Sequence, residues 1–257
     1  MKKLDYLIKE LSSMKKYPTE LHVSGNEELL KRVKVSIVGA RKTSKYAREL
    51  THRLASALSK VGVCVVSGGA MGVDAIAHTG AGSANTIAVL PCGVDIKYPA
   101  VNKNLLTDIE KNGLLLSQFA PNFKATPWSF VVRNELVVAL GDVLVVAEAE
   151  LGSGSMRSIE FALKMKKKIF VFPHRLGESS ATNELLKESK AEVIYDIDLF
   201  VSKFGTLEKT TEVLDEFLEY CQKSPTYEET LAKFPTRIFE AELSGEIEIR
   251  NAKVYLS

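Results

Sequence analysis

Short apolar segments recur along the chain and alternate with stretches of helical periodicity. Most of these segments are rich in Val, Ile or Leu and lack polar alternation, which is typical of strands buried on both faces. They are Val35–Val38, Val63–Val66, Thr86–Leu90, Leu114–Leu116, Val143–Val146, Ile169–Phe172 and Val193–Tyr195. Between them, stretches such as Ser44–Lys60 repeat apolar residues every three or four positions. The alternation predicts βαβ units, and therefore an α/β fold with a mostly parallel sheet and helices on both faces.

Smaller elements are predicted at both ends of this pattern. Residues 1–17 place apolar side chains on one stripe, which predicts a short amphipathic helix within a lead-in segment, residues 1–34. The polar stretch Gly205–Thr211 is the predicted boundary between a main domain, residues 35–205, and a small domain, residues 206–257. The small domain contains three helical segments, Val213–Cys221, Tyr227–Lys233 and Thr236–Leu243. A predicted hairpin follows, an order typical of a winged-helix domain.

Three of the predicted strands lead into loops that contain glycine. Such loops, placed between a strand and a helix, expose backbone N–H groups at the positive end of the helix, where phosphate binds well. Ligands of parallel sheets bind beyond the carboxyl ends of the strands, where all three loops fall. The candidate phosphate-binding residues of these loops are Gly39, Arg41, Lys42, Gly68, Gly69, Ser153, Ser155 and Arg157.

Several of these residues have alternative interpretations. Arg41 either grips phosphate with its fork of donors or anchors its loop to a neighbouring carboxylate. Arg157 lies in the first turn of a helix, where a cation is unfavourable unless it faces a bound anion or is solvated. Asp74 is interpreted as a structural residue because a carboxylate that faced phosphate would repel it. His78 is interpreted as a core histidine.

A second candidate segment mixes aromatic and basic residues over residues 122–134. Bases stack on aromatic rings and phosphates pair with cations in grooves that bind single-stranded nucleic acid. Lys124, Phe130 and Arg133 are candidates on this ground, although aromatic residues on a helix equally often belong to the core. The basic run that ends at Lys168 is interpreted either as a solvated helix end or as a further contact.

Charge is unevenly distributed along the chain. The net charge is +2, but residues 208–257 hold 6 Lys/Arg and 11 Asp/Glu, a net −5, which leaves +7 on the remainder. A polyanion is therefore attracted to the first part and not to the tail. The three cysteines are widely spaced, which favours a reduced, cytoplasmic setting and argues against disulfides and zinc. The amino-terminal residues do not resemble a signal peptide, and no membrane span is expected.

Several enzyme classes lack their sequence motifs here. The chain has no Gly-x-x-x-x-Gly-Lys-Ser/Thr loop, no Gly-x-Gly-x-x-Gly after the first long strand and no Gly-x-Ser-x-Gly elbow. Neither a cofactor nor a metal site is expected, since the four histidines do not have metal-ligand spacing. The sequence thus favours a binding protein over an enzyme.

Seven motifs in order give the chain a family resemblance. Among them are Val35-x-Ile-Val-Gly-x-Arg41, Ser67-Gly-Gly-Ala-x-Gly-Val-Asp74, Phe130-x-x-Arg133-Asn134 and Ser153-Gly-Ser155. Together they resemble the DNA-processing protein A family, also called Smf, over roughly residues 18–200. The resemblance implies an extended Rossmann-like fold that binds single-stranded DNA without hydrolysing it. It also implies protection of incoming strands in natural transformation and help in loading RecA recombinase onto DNA covered by single-strand-binding protein.

The resemblance carries over to particular residues and also has departures. It implies a homodimer formed through the carboxyl-terminal part of the Rossmann-like domain. It implies that Gly39, Arg41, Gly68, Gly69 and Ser155 line the DNA pocket, and matches Lys124, Phe130 and Lys168 more loosely. The amino-terminal sterile-alpha-motif-like domain of many members is expected to be missing. Arg157 stands where the family has an uncharged residue, so it is a candidate extra phosphate contact.

The alternatives are a phosphoribohydrolase-like enzyme that cleaves nucleoside monophosphates and a small-nucleotide sensor. The enzyme requires a catalytic glutamate where this chain has Ser158, and Glu160 comes two residues late, on a different face of the helix. The acidic tail is expected to contact protein rather than duplex DNA, since its charge repels phosphate.

Overall fold

The computed structural model describes two compact units, Met1–Thr206 and Leu207–Ser257. It describes residues 1–205, 216–221, 223–235, 237–244, 247–250 and 252–256. The first unit is built on a sheet of nine strands: β1 (Lys2–Lys3), β2 (His22–Gly25), β3 (Lys34–Val38), β4 (Cys64–Ser67), β5 (Thr86–Val89), β6 (Leu114–Ser117), β7 (Val143–Val146), β8 (Ile169–Val171) and β9 (Glu192–Val193). All seven strands predicted from the sequence are present, as β3 to β9.

The sheet is parallel except at one edge. Its strand order is β1-β2-β6-β5-β4-β3-β7-β8-β9, and β1 and β2 are the antiparallel members. The connections from β3 run to one side through β4 and β5, whereas β7 and β8 lie on the other side. The strand order therefore reverses beside β3, which is the place where open α/β sheets form a ligand-binding crevice.

Helices cover both faces of the sheet, as predicted. The seven helices of the first unit are α1 (Lys45–Lys60), α2 (Val73–Ala81), α3 (Lys103–Asn112), α4 (Pro127–Leu140), α5 (Ser155–Lys164), α6 (Ser180–Lys187) and α7 (Ile197–Val201). One core contains Leu54 of α1, Ala77 of α2 and Phe200 of α7. The core on the opposite face contains Leu136 of α4 and Ile159 of α5. The mostly parallel, Rossmann-like architecture expected from the sequence is therefore confirmed.

The amino-terminal segment differs from the prediction. Residues 1–17 do not form an α-helix but strand β1 followed by a 3-10 turn over Lys9–Ser13. Leu4, Ile8 and Leu11 are buried, whereas Leu7 is 79% exposed. The apolar side chains of this segment have helical spacing. Those that are buried, however, reach the core from a backbone that is first extended and then tightly turned. Residues 1–34 thus contribute β1 and β2 to the main sheet.

The second unit contains short helices and a hairpin. The described helices are α8 (Glu216–Cys221), α9 (Tyr227–Lys233) and α10 (Arg237–Ser244), and strands β10 (Ile247–Arg250) and β11 (Lys253–Leu256) pair antiparallel. Phe217, Ile238 and Val254 lie in its core. Thr226 begins α9 with a reciprocal cap involving Glu229. The predicted connector falls outside the described residues except for Gly205, as do residues 213–215 of the first predicted helix.

Candidate functional site

A cavity of about 560 Å³ opens at the carboxyl ends of β3, β4 and β7. These three strands are neighbours in the sheet, so the three glycine loops predicted from the sequence meet at one place. Nine of the twelve candidate residues line the cavity: Gly39, Arg41, Lys42, Gly68, Phe130, Arg133, Ser153, Ser155 and Arg157. Sequence reasoning did not select Ala40, Ala70, Val131 and Glu150, which also line it and adjoin the predicted motifs.

The loop after β3 is interlocked with its neighbours. The Ala40 amide donates to Glu148 O at 2.8 Å, and the Val73 amide donates to Ala40 O at 3.1 Å. A Cβ at Gly39 would lie 2.6 Å from Val73 Cγ2, so only glycine fits there. Ser44 caps α1 by accepting from the Ala47 amide. The loop is therefore held in one conformation by its packing.

Arg41 projects from this loop into the cavity. Its side chain is exposed, and its guanidinium carbon lies 5.1 Å from the centre of the Phe130 ring. That cation–π contact orients the guanidinium without occupying its hydrogen-bond donors. Among the described residues, no carboxylate forms an ion pair with Arg41. The structure therefore does not support the alternative in which Arg41 anchors its loop to a carboxylate.

Arg133 occupies a different position from Arg41. Its side chain is 4% exposed, and Nη1 donates to Gly68 O and, at 3.1 Å, to Val89 O. Asp74 Oδ2 lies 3.9 Å from Nη1 and accepts from the Ala70 amide. Arg133 therefore lies beneath the Gly68 loop and supports it, although sequence reasoning placed it among the DNA contacts. Asp74 has the structural role that was predicted.

The electrostatics of this buried pair reflect desolvation. Burial raises the pKa of Asp74, and the Arg133 charge partly offsets that shift. Burial also lowers the pKa of His78 to about 3, and its Nδ1 lies 2.7 Å from Thr86 Oγ1. The prediction that His78 is a core histidine is confirmed. The Cys64 thiol has its pKa raised to about 12 by burial, so it is not a nucleophile at neutral pH.

The loop after β7 forms the third wall of the cavity. Gly152 adopts a φ of +77°, Ser155 begins α5, and Ser153, Gly154 and Ser155 line the cavity. The Ser153 hydroxyl oxygen is buried and has no hydrogen-bond partner in the described part of the chain. Arg157 is 59% exposed and lies 2.9 Å from Glu160, a surface ion pair that contributes little. Both side chains are thus available to an anion.

Two carboxylates near the cavity are already engaged. Glu148 Oε2 accepts from the Ser44 amide at 2.9 Å. Glu150 accepts from the Ser179 and Ser180 amides at 3.0 Å and from the Ser180 hydroxyl. The hydrogen bonds from Ser180 hold the pKa of Glu150 below its usual value. Each carboxylate thus accepts hydrogen bonds from a neighbouring loop and repels an incoming anion less than a free one would.

Three candidate residues lie outside the cavity lining. Gly69 is buried behind the loop, with its carbonyl accepting from Asn102 Nδ2 at 3.0 Å. Lys124 is exposed on the loop before α4. Lys168 precedes β8 and therefore lies at the amino ends of the strands, where its Nζ is 4.0 Å from Glu192. Lys168 is therefore at the edge of the sheet opposite the cavity, although the family resemblance matches it loosely to the DNA site.

Aromatic side chains adjoin the phosphate-sized cavity. Phe130 is half-buried, with Tyr98 edge-on at 5.9 Å. Trp128 is 61% exposed and contacts Phe119 at 5.7 Å between ring centroids. Phe130 and Tyr98 line a recess together with Arg41, which places aromatic rings beside an anion-binding group. Within the described residues, no cluster of potential metal ligands is present and no helix is long and apolar enough to cross a membrane.

Comparison with known proteins shows the family to which the chain belongs. Residues 4–205 match the family model described as DNA recombination-mediator protein A. DNA processing protein DprA of Streptococcus pneumoniae is 34% identical over 183 residues, which cover 70% of this chain and 64% of the relative. DprA of Bacillus subtilis is 31% identical over 174 residues, 66% of this chain and 59% of the relative. The chain therefore spans less than two thirds of the length of these curated relatives.

Solved structures with the same fold are also similar in sequence. DNA processing protein A from Helicobacter pylori, whose structure was described for its single-stranded DNA binding mode, superposes with a TM-score of 0.77 at 40% identity. The superposition covers 79% of this chain and 94% of that one. The Streptococcus pneumoniae structure gives a TM-score of 0.71 at 30% identity, covering 78% and 71% of the two chains.

Proposed function

Because the chain belongs to the DNA recombination-mediator protein A family, we propose that it binds single-stranded DNA in the cavity at the carboxyl ends of β3, β4 and β7. One observation carries this proposal. A single cavity is lined by the cations Arg41, Lys42 and Arg157, by the turns at Gly39 and Gly68, and by the ring of Phe130. Cations and exposed amides bind phosphates, and the adjoining rings stack bases.

The binding is expected to depend little on base sequence. Backbone amides, guanidinium groups and the Ser153 hydroxyl recognise phosphate, which every nucleotide carries. Aromatic rings such as Phe130 stack on any base. A duplex fits less well, since its bases are paired and stacked on one another and are not available to the rings. Preference for single strands over duplex is the consequence.

We also propose that this binding serves recombination. In that role the protein protects incoming strands during natural transformation and helps to load RecA recombinase onto DNA covered by single-strand-binding protein. It acts as a homodimer in the cytoplasm. Membership of a recombination-mediator family and resemblance to DNA-processing relatives support this role. Co-purification of the chain with RecA recombinase on single-stranded DNA tests it.

The site is proposed to bind without catalysis. The support lies in the acidic residues that a phosphoribohydrolase would need. Glu160 pairs with Arg157 at 2.9 Å, and the Glu150 carboxylate accepts hydrogen bonds from Ser179 and Ser180. Incubation with nucleoside monophosphates is expected to release no free base. Release of base would instead favour the enzyme.

The second unit is proposed to be a winged-helix-like domain that contacts protein. Its helices and hairpin follow the winged-helix order, and residues 208–257 carry a net charge of −5. A surface of that charge disfavours the phosphates of duplex DNA. The isolated segment 206–257 is therefore expected not to bind duplex DNA at moderate salt, and tight binding would contradict this role.

Fluorescence anisotropy with labelled oligo-dT and a matching duplex tests the proposed function. The single strand is expected to bind more tightly, with an affinity that falls steeply as salt rises. Arg41→Ala should weaken binding by about 1–3 kcal/mol, the range for a charge-assisted contact. Arg32→Ala is the matched control, because Arg32 is exposed at the amino end of β3. Equal affinity for the strand and the duplex, or no effect of Arg41→Ala, would contradict the proposal.

A further inference from the structure

A groove between α1 and α2 carries a row of cations that the cavity does not use. It has a volume of about 520 Å³ and is lined from α1 by Lys45, Arg48, Glu49, His52 and Arg53. From α2 it is lined by Ala75, Ile76 and Thr79, which carry no charge. Formal charge in the groove is thus positive, with Glu49 as the carboxylate among its described lining residues.

The cations of this groove are free of internal partners. Lys45, Arg48 and Arg53 are exposed, and within the described ranges none of them forms an ion pair. By contrast, Lys187 pairs at 3.0 Å with a glutamate one turn away on its own helix. Three such cations against the single carboxylate of Glu49 leave the lining of the groove with a net positive charge.

The groove begins at the residues that follow the cavity loop along the chain. Arg41 and Lys42 line the cavity, Ser44 caps α1, and Lys45 begins the groove. From Lys45 to Arg53 the helix advances about 12 Å at its rise of 1.5 Å per residue. Five cations, Arg41, Lys42, Lys45, Arg48 and Arg53, therefore form one track that leads away from the cavity.

We propose that this track holds the phosphates of the same single strand as it leaves the cavity, with Lys45, Arg48 and Arg53 as contacts. The proposal rests on the proposed function, since the strand must first occupy the cavity. Its charge fits a polyanion, and its continuity with Arg41 fits one continuous strand rather than a separate ligand. The uncharged α2 side of the groove leaves room for sugars and bases.

The length of the bound strand provides the test. An oligo-dT of about 6 nucleotides is expected to occupy only the cavity, whereas one of about 16 nucleotides also reaches the track. Comparable single-strand sites cover roughly 4–16 nucleotides. Charge reversal by Arg48→Glu with Arg53→Glu should weaken binding of the long strand about tenfold and reduce the slope of its salt dependence by about 1.4. Binding of the short strand should change less than about twofold.

A matched control carries the same change in net charge. Lys9→Glu with Lys16→Glu alters two exposed lysines of the amino-terminal segment, which packs against the sheet face opposite α1. This control should leave both oligonucleotides at wild-type affinity within about twofold, since screening limits distant charges. Arg48→Gln with Arg53→Gln provides a second variant without charge reversal, and circular dichroism checks that α1 is intact.

A second readout locates the strand without mutation. Lys45 should be protected from acetylation by the long strand but not by the short one, while Lys9 stays reactive with both. The track is overturned if Lys45 remains reactive with the long strand, or if both strand lengths lose affinity equally in the charge-reversed variant. A wild-type protein that binds neither strand would instead refute the proposed function itself.

Discussion

Replacement of Arg133 by methionine tests whether the cavity depends on a buried charge. Methionine fills much of the same volume but cannot donate to Gly68 O or Val89 O, and it removes the counter-charge 3.9 Å from Asp74. Removing one partner of a buried ion pair costs about 3–5 kcal/mol. Asp74 keeps the Ala70 amide as a donor at 3.3 Å, so we expect a loss near the lower end, about 3 kcal/mol.

The loss should depend on pH. Burial raises the pKa of Asp74 above its ordinary value of 3.8, and Arg133 holds that shift down. Without Arg133 the folded protein keeps the Asp74 proton to higher pH, so between the ordinary and the raised pKa it binds more protons than the unfolded chain. Stability therefore falls as pH rises through that window. The difference between Arg133→Met and the wild type should be smaller at pH 5 than at pH 8.

Urea denaturation followed by circular dichroism and by Trp128 fluorescence measures both effects. Trp128 is the single tryptophan and lies in the same helix as Arg133, so it reports on this unit. Arg133→Met with Asp74→Asn is the control, since it removes both charges and should regain about 1 kcal/mol or more and lose the pH dependence. A loss below about 1 kcal/mol, or an equal loss at both pH values, would refute the reasoning.

Three further predictions concern the scaffold of the site. Gly72→Ala should abolish binding of single-stranded DNA, because a Cβ there would lie 2.3 Å from Ala40 O and the residue has a φ of +76°. Gly62→Ala is the control, since Gly62 has the same φ but no neighbouring atom within 4 Å of the added Cβ. Equal effects of the two substitutions would contradict the argument. Lys34→Met should lower the free energy of unfolding by about 3–5 kcal/mol, because it leaves Glu10 and two backbone carbonyls without their buried partner. An unchanged urea midpoint for this variant would contradict the prediction. His78 has a pKa lowered to about 3 from 6.5, so its contribution to stability is complete above pH 6.5 and is lost as pH falls towards 3. A nuclear magnetic resonance titration that shows His78 protonating near pH 6 would disprove this.

The fold was largely predictable because most of its strands are buried on both faces. Segments such as Val143–Val146 are short, continuous apolar runs. Where such runs alternate with segments of helical periodicity, they indicate buried strands. Strand β1 was not predictable on the same ground. It has two residues, both exposed lysines, and it exists because it pairs with β2, not because of its own pattern.

The position of a residue along the sheet was harder to predict than the strand itself. Lys168 and Arg41 each adjoin a strand, but Lys168 precedes β8 whereas Arg41 follows β3. In a parallel sheet these places are opposite edges, and only the carboxyl edge forms the crevice. The direction of the chain is therefore sufficient to place Arg41 at the crevice and Lys168 at the opposite edge of the sheet.

Arg133 and Arg41, two of the three arginines that line the cavity, show where side-chain burial could have been inferred. Ser129, Arg133, Leu136, Val137 and Leu140 are buried and follow one another at spacings of three, four and one, the core stripe of a helix. Arg133 shares its face with three aliphatic residues, and the turn that follows it is buried on every side, so the sequence around it indicates the interior. A buried arginine requires acceptors, and here these are the carbonyls of Gly68 and Val89 and the charge of Asp74. Arg41 precedes its helix and has no such stripe, which leaves its donors for a ligand.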